Sequence, residues 1–110
     1  MSAYLTLTEI KDAERQRRRG EVARLRGELA AYAAQHGGRF ILYGSAARDT
    51  MRHDSDVDIL ADFPPDTLDD AWVFAEAACW RLGLTPDIRP MAWCSRTFLD
   101  HIARDAVSLS

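Results

Sequence analysis

Tyr43-Gly44-Ser45-Ala46-Ala47-Arg48-Asp49-Thr50-Met51-Arg52-His53-Asp54-Ser55-Asp56-Val57-Asp58-Ile59-Leu60 is the stretch on which the fold turns. The run Arg39 to Tyr43 leading into it is apolar and of strand length, and Gly44 punctuates it where the backbone must turn sharply. Ser45 to Asp49 reads as a short helical turn. Its free backbone N–H groups and the Ser45 hydroxyl would form a concave set of donors suited to phosphate oxygens, with Arg48 adding positive charge nearby. Val57 to Ala61 is predicted as a second strand. Asp56 and Asp58 lie two apart at its start, so the period-two alternation of a strand sends both carboxylates to one face. Side by side they repel unless a cation sits between them. Hard divalent cations such as Mg²⁺ take oxygen ligands and bind through one or two carboxylates plus substrate phosphates. A phosphate-cradling turn beside paired carboxylates therefore describes a metal–nucleotide site.

Asp-x-Asp by itself is common at strand starts and in loops, and a Gly-Ser pair is commoner still. The joint pattern is more specific: strand, Gly-Ser, ten intervening residues, Asp-x-Asp and second strand, with Asp54-Ser55 directly before the first carboxylate. It resembles the nucleotidyltransferase superfamily of DNA polymerase beta and, within it, the minimal nucleotidyltransferases that act as antitoxins to HEPN-domain toxins. Gly44-Ser45 falls on that family's nucleotide-binding turn, Ala47-Arg48 on its small-residue and Arg positions, and Asp56 and Asp58 on its metal ligands. The motif resemblance covers residues 40–62. Asp49 departs from the pattern, since Gly often follows the Arg in such proteins, and the departure bears on the loop rather than on the carboxylates.

Composition bounds the reading. The chain has 110 residues and is 47% hydrophobic, which fits one domain over residues 1–110 burying roughly two thirds of its unfolded surface. A net charge of −3 lacks the basic excess with which general nucleic-acid and membrane binders advertise themselves. The charge is uneven: from Asp49 to Asp70 there are eight Asp against one Arg, which suits a site completed by metal cations, although some of these residues serve turns and caps. Cys79 and Cys94 have neither disulfide-framework nor zinc spacing and are expected as reduced thiols. With no secretory signal and no run of transmembrane length, a cytoplasmic location is expected.

Along the chain, Glu9 to Gln35 reads as helical, with Val22, Leu25, Leu29 and Tyr32 on one face and Thr8 or an earlier residue as cap. Gly20 marks either a bend or a break between two helices, and Gly37-Gly38 ends the element. The run Arg17-Arg18-Arg19 is interleaved with Glu14, Glu21 and Glu28, which favours a solvated, salt-bridged face over an RNA contact, with an acidic partner protein as a middle reading. Phe63-Pro64-Pro65 stops the second strand. Asp66 offers an N-cap to a helix whose core stripe is Leu68, Ala71, Trp72, Ala75, Cys79 and Leu82, closed by Gly83. Thr85 to Pro90 reads as a third, edge strand bracketed by prolines. Ser95 can cap a last helix with Phe98, Leu99, Ile102 and Ala106 on its apolar face, and Val107 to Leu109 pack or pair beyond it. His36 and His101 carry no signal. His53 is read as a loop histidine, with a phosphate contact as the alternative, and Trp80 and Trp93 stay open between core, base stacking and partner contact.

This order gives an α/β (α+β) domain, a small mixed sheet flanked by helices as in the polymerase-beta-like nucleotidyltransferase fold. The resemblance implies two Mg²⁺ ions held by Asp56, Asp58 and a third carboxylate on the strand after the long helix, where Asp87 is the candidate. A plain salt bridge from Asp87 to Arg89 on the same face is the other reading of that residue. It further implies that Gly44, Ser45 and Arg48 bind ATP. The acceptor would be a tyrosine hydroxyl on a HEPN ribonuclease toxin encoded by a neighbouring gene, inactivated by transfer of AMP. Two rival classes remain: an antitoxin that only binds its toxin, which has no need of a repulsive Asp pair, and a small-molecule nucleotidyltransferase working as an oligomer.

Overall fold

The computed structural model describes residues 6–48 and 56–110; the readings of Asp49 and His53 lie outside them. Helix α1 spans Leu7–His36. Thr6 caps it, its side chain accepting from the Glu9 N–H while the Glu9 carboxylate accepts from the Thr6 N–H, a reciprocal capping box that satisfies two otherwise unpaired donors. The helix runs unbroken through Gly20. It stops at Gly37, whose φ of 71° is the left-handed conformation that glycine adopts at least cost.

Strand β1, Arg39–Tyr43, follows, then the single helical turn α2, Ser45–Arg48. Strand β2 is Val57–Asp62 and helix α3 is Pro65–Arg81. The cap of α3 is Pro64 rather than Asp66: Pro65 occupies the first helical position, where its missing N–H costs nothing, and Asp66 lies in the first turn, where the helix dipole favours a carboxylate. Strand β3 is Pro86–Pro90, and a short 3₁₀ turn over Met91–Trp93 leads to α4, Arg96–Ile102. Ser95 caps α4 by accepting from the Phe98 N–H. Val107–Leu109 pairs as a fourth strand, β4.

The sheet order is β3-β2-β1-β4, with β1 antiparallel to both β2 and β4 and β2 parallel to β3. Parallel neighbours need a long crossover, and α3 supplies it. Alternation along the strands divides the core in two. Phe40, Leu42, Val57, Ile59 and Ala61 face α1 and α3, joining Leu25, Leu29, Ala75 and Cys79. Ile41, Tyr43 and Leu60 face the other way and are covered by Phe98, Leu99 and Ile102 of α4 with Met91 and Ala106. Arg39 and Asp62, opposite each other in the β1–β2 register, form an ion pair at 2.7 Å. Both cysteines are free, and Cys79 is buried in the first core.

The apolar packing of α1 comes from its second half: its buried residues are Val22, Leu25, Leu29 and Ala33, whereas Leu7 and Ile10 are 68% and 51% exposed. The helix therefore extends past the body, and the radius of gyration is 15.5 Å, against about 13 Å for a compact chain of this length. Its basic run is paired within the helix, Arg15 to Asp12 at 3.8 Å and Arg17 and Arg18 to Glu14 at 2.5 and 3.8 Å. No helix among the described residues is long and apolar enough to cross a membrane.

In the packed half of α1, Gly27 sits between buried Leu25 and Leu29, and a Cβ added there meets nothing within 4 Å. Gly27→Ala is expected to stabilise the fold by about 0.5–1 kcal/mol, since alanine loses less backbone entropy in a helix. Urea unfolding measures this, and a lower midpoint would contradict it.

Candidate functional site

The β1–β2–β3 register sets Tyr43 opposite Asp58 and Asp58 opposite Asp87, one row of side chains across three strands on the face that α4 partly covers. Neighbouring strands lie only about 4.8 Å apart, so the parallel pairing of β2 with β3 brings the two carboxyl groups together. Burial, the charge and hydrogen bond of Asp87, and the charge of Asp56 push the Asp58 pKa up to about 6, with Arg89 acting weakly the other way. Protonated Asp58 donates that hydrogen bond to the Asp87 carboxylate. At higher pH the pair is two like charges in a half-buried place.

Gly44 follows directly on Tyr43. Its φ is +73°, and a Cβ built on it would run into Asp58 Oδ2. The turn thus needs glycine twice over, for its left-handed backbone and for the approach of a carboxylate to the main chain. Burial first, and then the Asp58 carboxylate, push the Tyr43 hydroxyl up to about 12, so it stays a neutral donor at physiological pH.

Above this row lies a cavity of about 620 Å³, within the range of small-molecule sites, lined by Tyr43, Gly44, Arg48 and Asp58 from the sheet side and by α4 and the turn after it from the other. Of the residues expected from sequence, Gly44, Arg48 and Asp58 line the cavity, and Asp87 stands beside Asp58. Ser45, the first residue of α2, and Asp56, exposed just before β2, flank the cavity without lining it. Asp87 also meets Arg89, Nε to Oδ1 at 3.7 Å, so the salt bridge and the carboxylate pair coexist. Among the described residues no three His, Cys, Asp or Glu side chains stand close enough to hold a metal ion by themselves. Two hard oxygen donors whose repulsion a cation would relieve do fit a Mg²⁺-like ion that draws its other ligands from phosphate and water.

The last helix is more than packing. Sequence periodicity singled out its apolar residues, and of these Phe98 and Ile102 also line the cavity, together with Asp100, His101, Arg104 and Asp105. The sequence likewise marks Tyr43 only as a strand residue. What would have revealed these residues is the face of the sheet on which α4 lies, and helical spacing carries no information about that. Trp93 and Trp80 are 75% and 59% exposed, and Trp93 lies edge-on to Trp72 with ring centres 6.1 Å apart.

Residues 22–107 match the family described as nucleotidyltransferase domain. A solved structure provisionally assigned as a minimal nucleotidyltransferase is 26% identical, with a TM-score of 0.56, and the similarity covers 96% of this chain and 98% of that one. No curated protein matches.

The carboxylate pair has a signature in solution. Because Asp58 holds its proton more tightly folded than unfolded, at about 6 against 3.8, the folded state binds more protons between those values. Its stability therefore falls as pH rises from about 4 to about 6 and levels off above. In chelator-treated protein, Asp58→Asn is expected to remove this component of the pH dependence and to melt higher than wild type at pH 7. Thermal unfolding across that range checks both, and an Asn variant that melts lower at pH 7 would show the ionised pair to be stabilising.

Proposed function

The chain belongs to the nucleotidyltransferase domain family, and from that premise we propose that it transfers AMP from ATP to a tyrosine hydroxyl of a HEPN ribonuclease toxin encoded by a neighbouring gene, acting as that toxin's antitoxin. Enzymes of this family generally use a nucleoside triphosphate with a divalent metal. The observation that carries the reading is the carboxylate pair Asp58–Asp87 at the base of a nucleotide-sized cavity whose rim is the Gly44 turn. A pure binding surface has no use for a half-buried pair of like charges held against the main chain at a glycine.

In this reading Asp58 and Asp87, with Asp56 at the strand start, would hold the divalent metal. Such a metal would supply Lewis-acid stabilisation of the charge that develops on the phosphates. The Gly44–Ser45 turn and Arg48 orient the phosphates so that the acceptor oxygen arrives in line with the bond to be broken. The tyrosine oxygen bonds to the α-phosphorus, the bond to pyrophosphate breaks, and the hydroxyl proton passes to Asp87, whose edge-strand position leaves it open to an incoming acceptor. Tyr43, neutral at physiological pH, walls the pair beside Asp58 from β1. The projecting half of α1, with Leu7 and Ile10 exposed, supports a protein acceptor by offering a surface on which one could dock.

Co-expression with the neighbouring gene product followed by intact-mass analysis tests the proposal. The toxin is expected to gain one or more AMP units, and Asp58→Asn to abolish the gain. Neutralisation with unchanged toxin mass, with the Asp58→Asn chain protecting equally well, would replace the enzyme with a binding antitoxin.

A further inference from the structure

The cavity has a second wall, for which the chemistry above has no role. Phe98, His101, Ile102 and Asp105 recur at spacings of three and four and share one side of α4 and the turn that follows it, with Arg104 beside them at the cavity. Two contacts hold this wall in place. Phe98 meets Tyr43 edge-on with ring centres 5.6 Å apart, and Arg48 Nη1 reaches Asp105 Oδ2 at 3.4 Å, tying α2 to the turn after α4.

That second contact divides the charge of the cavity. The sheet end carries Asp58 with Asp87 behind it. At the helix end Asp105 is matched by Arg48, whereas Arg104 makes no ion pair among the described residues and His101 adds ring N–H donor capacity next to it. Asp100, at the same wall, is an anion that a bound phosphate would have to avoid. A polyphosphate suits a cavity divided in this way: at the carboxylates its oxygens need a bridging cation, and farther out they need direct cationic donors. Guanidinium is the stronger of these, since it can donate two parallel hydrogen bonds to phosphate.

We propose that His101 and Arg104 form the subsite for the distal phosphates of the nucleotide, so that α4 selects a nucleoside triphosphate over a monophosphate. This rests on the nucleotide reading of the cavity and adds to it the element that distinguishes phosphate-chain length. Both residues are exposed, so replacing them leaves the two cores untouched.

The test is calorimetric titration of the full chain with MgATP and MgAMP, comparing wild type, the double variant His101→Ala/Arg104→Ala, and Arg104→Lys. Wild type is expected to prefer MgATP. The double variant should lose about tenfold or more in MgATP affinity, the loss expected on removing charge-assisted hydrogen bonds, while its MgAMP affinity stays within about twofold; Arg104→Lys should recover part of the loss because it keeps the charge without the fork. An unchanged ratio of MgATP to MgAMP affinity in the double variant, or equal losses for both nucleotides, overturns the subsite. Absence of binding of either nucleotide to wild type overturns the nucleotide reading beneath it, a result distinct from the first two.

Discussion

Two carboxyl groups on adjacent parallel strands repel, and most of what is specific in this small fold holds Asp58 and Asp87 together against that repulsion. The register of β2 against β3 is fixed by the α3 crossover, whose apolar stripe is buried against the same strands. Gly44 lets the main chain pass close to Asp58 where any side chain would collide. Tyr43 walls the pair from β1, and Arg89 offers partial neutralisation from the strand edge. A fold selected only for stability would place an apolar residue at Asp58, since burying a charge that is poorly matched costs more than it returns. The expense is rational where a divalent ion and a phosphate chain convert the repulsion into affinity.

Much of this was legible in the sequence because local rules and the final structure agree. The β-branched and aromatic run before Gly44, the alternation that sends Asp56 and Asp58 to one face, the prolines bracketing β3 and the glycine after α1 each act within a few residues of themselves. The candidate site was legible to the same depth: Gly44, Arg48 and Asp58 belong to one short motif, and Asp87 followed only from a resemblance, since nothing in its neighbourhood marks it. Its place beside Asp58 depends on a register set by a crossover helix, which is a tertiary fact.

The misses have the same origin. Helix propensity at Gly20 allows a bend or a break, yet the helix continues, because one glycine costs about 1 kcal/mol and the surrounding residues are good helix formers. Asp66 looked like a cap, but two prolines can begin a helix with no side-chain cap at all. Above all, regular apolar spacing marks α4 as packing, which it is, and says nothing of the cavity that the helix also lines. A helix that closes over the functional face of a sheet has the same apolar period as one that covers the opposite face, and its polar residues become site residues only by that choice of face. The first half of α1 shows the converse, a regular helix whose charges pair along its own length while its few apolar residues remain exposed.

The proposed function depends on Asp58 and Asp87 sharing a divalent cation with a bound nucleotide, and thermal unfolding in the presence of ATP addresses that directly. With Mn²⁺ added, wild type is expected to melt at a higher temperature than with EDTA, by an amount that saturates with metal, because ligands that bind only the folded state stabilise it by mass action; Asp58→Asn should show no such difference. Equal melting of wild type with Mn²⁺ and with EDTA, or an undiminished metal response in Asp58→Asn, would contradict a metal-bridged site at this pair.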